Sequence, residues 1–515
     1  MRRPTLLALL LLVPSAAQAQ GEAARVDSIF ARFGAPGSPG CAVAVGRDGA
    51  PLLARAYGMA DLEHDVPNTP ETVFEAGSVS KQFTAAAVVL LAQQGKLGLD
   101  DEARKYVPEL PVYQKPITIR HLLNHTSGLR DWGTVVEVAG WPRGSRAHTH
   151  AHVLDVVSRQ KSLNFAPGAE YLYSNTGYNL LAIIAERVSG EKFADFTRRT
   201  LFQPLGMTRT RWRSDYTEVV KGRAVAYDTA GGAFHMAMPF EDVHGNGGLL
   251  TTVGDLLTWN EALTHGRVGA AGFSDELQRR GVLTGGRRIQ YAHGLVVSEY
   301  RGVPEVSHSG ATAGYRAYLA RYPAQKLSVA LLCNSATASP VALGYQVADV
   351  FLAGHTRDPQ AAAPVALTAA ELSERAGMYR NRRTGEPLRL SVRDGKLRNG
   401  AGAELVPLSA TRFRLGRGPA QVVFDDAPTR RAALRLLASD GDTVAFEPVP
   451  EAAAVRPAEL AGEYRSDEAE VTYTVASDSG RLVLRRRPDT TLPLTPAYAD
   501  AFTTPDGWLV RFTRD

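Results

Sequence analysis

The chain of 515 residues contains only two cysteines, Cys41 and Cys333. That number excludes a disulfide framework and a four-cysteine metal site. Long apolar runs are also missing. The run from Leu6 to Val13 is too short to span a bilayer, and no later stretch approaches the roughly 18 to 20 apolar residues a transmembrane helix needs. Charge of one sign is scarce as well: 58 Lys and Arg stand against 53 Asp and Glu, a net +5. A surplus this small, scattered over so long a chain, does not build the clustered field that binds a nucleic-acid backbone. Arg485, Arg486 and Arg487 accordingly read as a solvated strand edge. What is present is ordinary globular composition, 44% hydrophobic and 22% charged, which excludes disorder and supplies a large core. At roughly 100 to 200 residues per domain, this length implies two to four domains.

Met1-Arg2-Arg3, the short apolar run and Ala17-Gln18-Ala19 before Gln20 have the charged start, greasy centre and small-residue cleavage site of a secretory signal peptide over 1–19. Losing Arg2 and Arg3 with it leaves a net charge of about +3. No cysteine lies beside the cleavage site, so a periplasmic or secreted protein without a stable membrane anchor is expected. Each cysteine ends a strand-like run, Cys41 to Val45 and Val329 to Cys333. In an oxidising compartment the two bridge if those strands are antiparallel neighbours; otherwise they are buried free thiols.

A helix is predicted from Ala24 to Phe33, and helical and strand-like patterns then mix until about His355. The small, Pro-containing segment Gln360 to Pro364 marks a boundary, beyond which short alternating runs take over. This last part repeats internally. Ala370-Glu-Leu372 with Gly377-Met-Tyr379-Arg380 returns as Ala458-Glu-Leu460 with Gly462-Glu-Tyr464-Arg465, and Gly395-Lys-Leu397 returns as Gly480-Arg-Leu482. Each unit reads as a β meander needing closure or pairing, as two small barrels or two halves of one. The expected organisation is a main unit over 20–356, a linker over 357–367, and barrel-like units over 368–450 and 451–515.

Three patterns carry chemistry. Ser78-Val-Ser-Lys81 opens an apolar, alanine-rich helix with Gly95 beyond its end, so Ser78 and Lys81 share a face and the serine N–H lies among the unpaired donors of the helix start. That suits an activated nucleophile beside an oxyanion hole. The same spacing in Ser158-Arg-Gln-Lys161 trails a helix before Pro167 and reads as a solvated helix end. Tyr173-Ser174-Asn175 lies on a loop entering a helix, where a phenol and an amide can converge on a serine; Tyr379-Arg-Asn381 matches it but belongs to the repeat and reads as strand packing. His308-Ser309-Gly310 follows a strand-like run and precedes Ala311, and its small residues let a substrate backbone lie along a strand edge.

Taken together in this order, Ser78-x-x-Lys81, Tyr173-x-Asn175 and His308-x-Gly310 resemble the penicillin-recognising serine hydrolases over Arg25 to His355. Ile117 to Leu129 and Gly247 to Leu256 are similar to stretches of the branch holding class C β-lactamases, D-alanyl-D-alanine carboxypeptidases and D-aminopeptidases. His308-Ser-Gly310 stands where many members have Lys-Thr-Gly, which argues against efficient β-lactam turnover and for a D-peptidase or D-aminopeptidase variant.

The resemblance implies an α+β fold: a β-lactamase/transpeptidase-like antiparallel sheet with adjacent terminal strands and flanking helices, plus a helical subdomain over 96–240, followed by the C-terminal barrel-like units. It implies a Ser78 acyl-enzyme, with Lys81 and Tyr173 sharing the serine proton and Ser78 and Ala311 N–H groups holding the oxyanion. Asn175 would orient Lys81 and the substrate, while His308 and Gly310 line the substrate and His308 polarises the Tyr173 phenol. No metal or organic cofactor is called for. The substrate is an amide or ester, with a D-amino-acid-containing peptide, such as a peptidoglycan fragment, favoured. The alternatives are a carboxylesterase, a weak β-lactamase, or a catalytically silent binding protein of the same fold. Among other histidines, His148, His150 and His152 alternate as metal ligands would but have no acidic or cysteine partner beside them. His121 and His125 read as packing and turn residues, and Asp255 as a helix-start residue paired with Thr252.

Overall fold

Six antiparallel strands form the central sheet: β1 (Cys41–Arg47), β2 (Ala50–Tyr57), β3 (Val296–Tyr300), β4 (Val303–Thr312), β5 (Tyr315–Tyr322) and β6 (Leu327–Cys333), in the order β3-β4-β5-β6-β1-β2. The computed structural model describes residues 16–35, 37–357, 365–416, 420–425, 432–438, 442–452 and 459–513. The strand nearest the N-terminus thus pairs with the last strand of the sheet, as the resemblance implies, and their register places Cys41 opposite Cys333. The two form a disulfide, so the free-thiol alternative does not hold.

Both faces of the sheet are covered, which is why β6 is buried along its whole length and lacks a polar stripe. The period-2 pleat divides its residues. Val43, Val45, Val329 and Leu331 pack with Val26, Phe30 and Val347 from helices α1 (Ala16–Phe30) and α5 (Pro340–Phe351). Ala42, Ala44 and Ala330 face the other way, toward α2 (Lys81–Gln93) and α4 (Val253–Thr264), where small side chains let helix and sheet approach. Every residue of α2 from Lys81 to Leu91 is buried, the signature of a central helix rather than a surface one. It packs against α3 (Asn175–Ser189) in the helical part of the molecule.

Several expectations are refined. The predicted signal peptide lies outside the described residues except for Ala16 to Ala19, which begin α1; the helix expected from Ala24 starts eight residues earlier. Most of the predicted linker, 358–364, is also outside them. Ser78 does not sit in α2 itself but in the 3-10 turn Gly77–Ser80 that leads into it.

The repeat is visible in side-chain bonding. Tyr379 OH donates to Arg375 O at 2.9 Å and Tyr464 OH to Leu460 O at 3.0 Å, the same four-residue reach in both units. The units nevertheless differ in form. The first is an eight-stranded antiparallel sheet whose end strands meet at the Arg398–Glu404 bridge, making it nearly closed. The second divides into four- and three-stranded sheets. Arg486 and Arg487, expected on a solvated edge, instead donate to the carbonyls of Glu137 and Ala139 and tie the second unit to the helical part. Tyr379 is fully buried, as strand packing requires.

Candidate active site

Glycine geometry brings the first and third motifs together. Gly77 adopts φ +50°, and a Cβ there would come within 2.7 Å of Ala311 N. Gly310 runs equally close above the same turn. The chain of β4 therefore presses on the Gly77–Ser80 turn and brings the Ala311 amide beside the start of that turn. Ser80 locks the turn from beneath, donating to Gly77 O at 2.5 Å and accepting from Leu249 N at 3.2 Å.

Lys81 has no solvent exposure. Its Nζ reaches Ser78 Oγ at 3.0 Å, Asn175 Oδ1 at 2.9 Å and the carbonyl oxygen of Asn246 at 2.7 Å. Burial drives its pKa well below the ordinary lysine value; Asp131 opposes the shift and Arg143 reinforces it. Asn246 escaped sequence reading because it acts through its main chain, which no side-chain pattern reports. It is held by Asn179 Nδ2, which donates to its Oδ1 at 2.6 Å.

Tyr173 completes the group. Its phenol lines the same cavity as Ser78, and Lys81 Nζ lies 4.8 Å from its ring centre. Burial raises the phenol's pKa, so it stays protonated over the neutral range. Asn175 begins α3, and its N–H donates to Asp131 Oδ2 at 2.6 Å; Asp131 also caps the helix Trp132–Val138.

His308 enters the same site but not as expected. Its Nδ1 lies 2.6 Å from Ser309 O, a carbonyl that can only accept, so Nδ1 carries the proton and Nε2 accepts from Tyr291 OH at 2.9 Å. The phenol it engages is thus Tyr291, not Tyr173, whose ring centre is 6.4 Å away. Burial and the nearby Lys81 push its pKa down to about 3, which keeps the ring neutral. Tyr291 belongs to no recognisable motif and comes from a separate loop.

A cavity of about 550 Å³ opens onto these groups, lined by Ser78, Tyr173, Tyr291, His308, Gly310 and Ala311 among others. Among the described residues no carboxylate lines it, and Arg316 is the charged side chain there. Arg316 stands opposite Ala311 in the β4–β5 hairpin and donates from Nη1 to the carbonyls of Ala313 and Tyr315. Both C-terminal units reach the surroundings of Tyr173. Arg383 Nη1 donates to Tyr171 O at 2.7 Å, and Glu468 pairs with Arg130 at 3.0 Å beside a second cavity, of about 500 Å³, which Tyr173 also lines.

The remaining candidates separate from the site. Ser158 Oγ donates to Asp155 O at an exposed helix end. His148, His150 and His152 do not converge: His152 Nδ1 accepts from Thr149 N, His150 Nε2 meets the main chain of His244, and His148 packs on Trp132. His121 caps a short helix with Thr118, and Asp255 N–H donates to Thr252 Oγ1 at 3.2 Å. Among the described residues, the group able to share a metal ion is Asp61, Glu63 and His64, mostly exposed and in a turn.

Residues 26–351 match the family model described as Beta-lactamase. A D-aminopeptidase of Gluconobacter oxydans is 30% identical over 465 residues, covering 88% of this chain and 84% of its own. Penicillin-binding protein 4* of Bacillus subtilis is 32% identical over 300 residues, 55% of this chain and 65% of its own. The octameric penicillin-binding protein homologue from Pyrococcus abyssi superposes with a TM-score of 0.59 at 23% identity, over 83% of this chain and 99% of that one. With a family match over most of the chain and similarity to a D-aminopeptidase along nearly its whole length, this protein belongs to the β-lactamase family and is a serine hydrolase of the penicillin-recognising group.

Proposed function

We propose that the protein is an exported amidohydrolase that forms an acyl-enzyme on Ser78, with short peptides or amides containing D-amino acids as substrates. The setting of Lys81 carries this reading. Burial favours its neutral amine. Asn175 Oδ1 and Asn246 O only accept, so they take the amine's two N–H bonds and direct its lone pair at Ser78 Oγ.

Ser78 gives its proton to Lys81 as Oγ bonds to the substrate carbonyl carbon. The displaced electron pair moves onto oxygen, which the N–H groups of Ser78 and Ala311 hold. When the carbon–nitrogen bond breaks, the leaving nitrogen takes the Tyr173 phenol proton, and Lys81 returns its proton to Tyr173. Water then attacks the ester by the reverse relay and releases the acid. His308, neutral and tied to Tyr291, walls the cavity, and Arg316 offers the cation for an anionic end of the substrate.

The D-amino-acid preference is supported by the similarity to the Gluconobacter D-aminopeptidase. Export is supported by the leader-like N-terminus and by the Cys41–Cys333 disulfide, a bond that persists in oxidising compartments. Among the described residues no helix is long and apolar enough to cross a membrane.

Intact mass after incubation with a fluorophosphonate tests the nucleophile, with wild type compared with Ser78→Ala. A single adduct on wild type alone is expected, together with faster release of p-nitroaniline from D-alanyl than from L-alanyl p-nitroanilide. A folded wild type that forms no adduct sinks the proposal.

A further inference from the structure

We propose that His125 is a positioning residue that holds the Tyr173 phenol beside Ser78 by bracketing the loop from both sides; this rests on the hydrolase reading above. Its carbonyl oxygen accepts from Leu172 N at 3.0 Å and its Nδ1 accepts from Ser174 N at 3.2 Å. Those two amides flank Tyr173. One residue thereby binds the main chain immediately before and immediately after the phenol-bearing residue.

The ring of His125 adds a third hold. Its centre lies 4.2 Å from that of Tyr173, 5.1 Å from Tyr178 and 4.5 Å from Tyr291, the tyrosine that engages His308. His125 is therefore where the Tyr173 loop, helix α3 and the His308 partner meet. The residue is 2% exposed and has φ +56°, a left-handed conformation that places carbonyl and ring on the same loop.

The ring is neutral on geometric grounds. A backbone N–H donates to Nδ1, so the proton is on Nε2, which has no hydrogen-bond partner among the described residues. An imidazole used only to fill space would have no need of an acceptor at Nδ1. A leucine of similar bulk would fill the space without leaving a buried polar atom.

The test separates an acceptor role from a packing role. Asn at this position tolerates the left-handed backbone and offers an amide oxygen near the place of Nδ1, but lacks the ring. Leu keeps apolar bulk and lacks the acceptor, and Gly, which adopts the left-handed backbone without strain, lacks the acceptor too and is expected to be impaired like Leu. For His125→Leu, kcat on an amide substrate is expected to fall roughly thirty-fold with KM within two-fold of wild type, and deuterium exchange of the peptide spanning Tyr171 to Thr176 is expected to quicken. His125→Asn is expected to recover kcat to within about three-fold of wild type and to restore slow exchange. An Asn variant as impaired as Leu, or a Leu variant with wild-type kcat, overturns the proposal. Absence of a Ser78 adduct on wild type would sink the hydrolase reading instead, and the exchange comparison would still decide whether His125 holds the loop.

Discussion

Gly310 passes so close to Ala76 that a Cβ on it would lie 2.0 Å from the Ala76 carbonyl oxygen and 3.1 Å from Ser78 N. The main chain of Ala76 has little room to move, because its N–H is fixed to Leu249 O at 2.8 Å. Gly310→Ala must therefore push β4 away from the Ser78 turn and separate the Ser78 and Ala311 amides. A loss of about 10²- to 10³-fold in kcat is expected, the cost of a misplaced oxyanion donor. Thermal unfolding should register a destabilisation of about 1–3 kcal/mol from the overpacking. An alanine variant with wild-type turnover would show that the close approach has no part in oxyanion binding.

Lys81 is expected to trade stability for reactivity. Its folded pKa lies below its unfolded value, so the unfolded state binds more protons between the two. The residue thus lowers stability most at acid and neutral pH, and the penalty fades as pH rises toward the ordinary lysine value. Lys81→Met should raise unfolding stability by about 1 kcal/mol at neutral pH, with the advantage shrinking in alkaline buffer. The same variant should lose Ser78 labelling by about 10³-fold or more. In wild type, labelling should rise with pH through the depressed Lys81 pKa and then level. Urea unfolding and labelling rates over a pH series check both signs.

Among the described residues that line the cavity, Arg316 is the charged one. Substrates with an anionic group should therefore depend on it. Arg316→Gln is expected to raise KM about ten-fold for an N-acetylated D-alanyl peptide ending in a free carboxylate, and to leave its carboxamide counterpart unchanged. Equal effects on the two substrates would remove Arg316 from recognition.

The Cys41–Cys333 bond joins residues 292 apart in sequence at one end of neighbouring strands. Reduction, or the Cys41→Ser and Cys333→Ser double variant, should cost about 2–4 kcal/mol in denaturant unfolding, with Ser78 labelling retained. Retention follows because six further register pairs still align β1 with β6. Loss of labelling in the folded double variant would tie the bond to the site itself.

Much of the reactive group was legible beforehand because its spacing is local. Three residues from Ser78 to Lys81 form nearly one helical turn, and Tyr173 and Asn175 flank a single residue at a helix start. The tyrosines of the C-terminal repeat likewise kept their pattern because each bonds within four residues of itself. The partner of His308 was misread for the opposite reason. Tyr291 comes from a loop seventeen residues away and is placed by tertiary packing, with His125, Tyr171 and Tyr173 among the rings around it.

Residue chemistry and short-range periodicity alone were enough to place a serine beside a lysine, a repeated β pattern and cysteines at strand ends, since each depends on neighbours within a turn or a strand. Other features depended on the assembled molecule. These were the pairing of Cys41 with Cys333, the carbonyl of Asn246 on Lys81, the tautomer of His308, the bond of Arg383 to Tyr171 and the pairing of Glu468 with Arg130. They are contacts between residues far apart in the chain, often through main-chain atoms that every residue carries, and only packing selects which of those atoms meet.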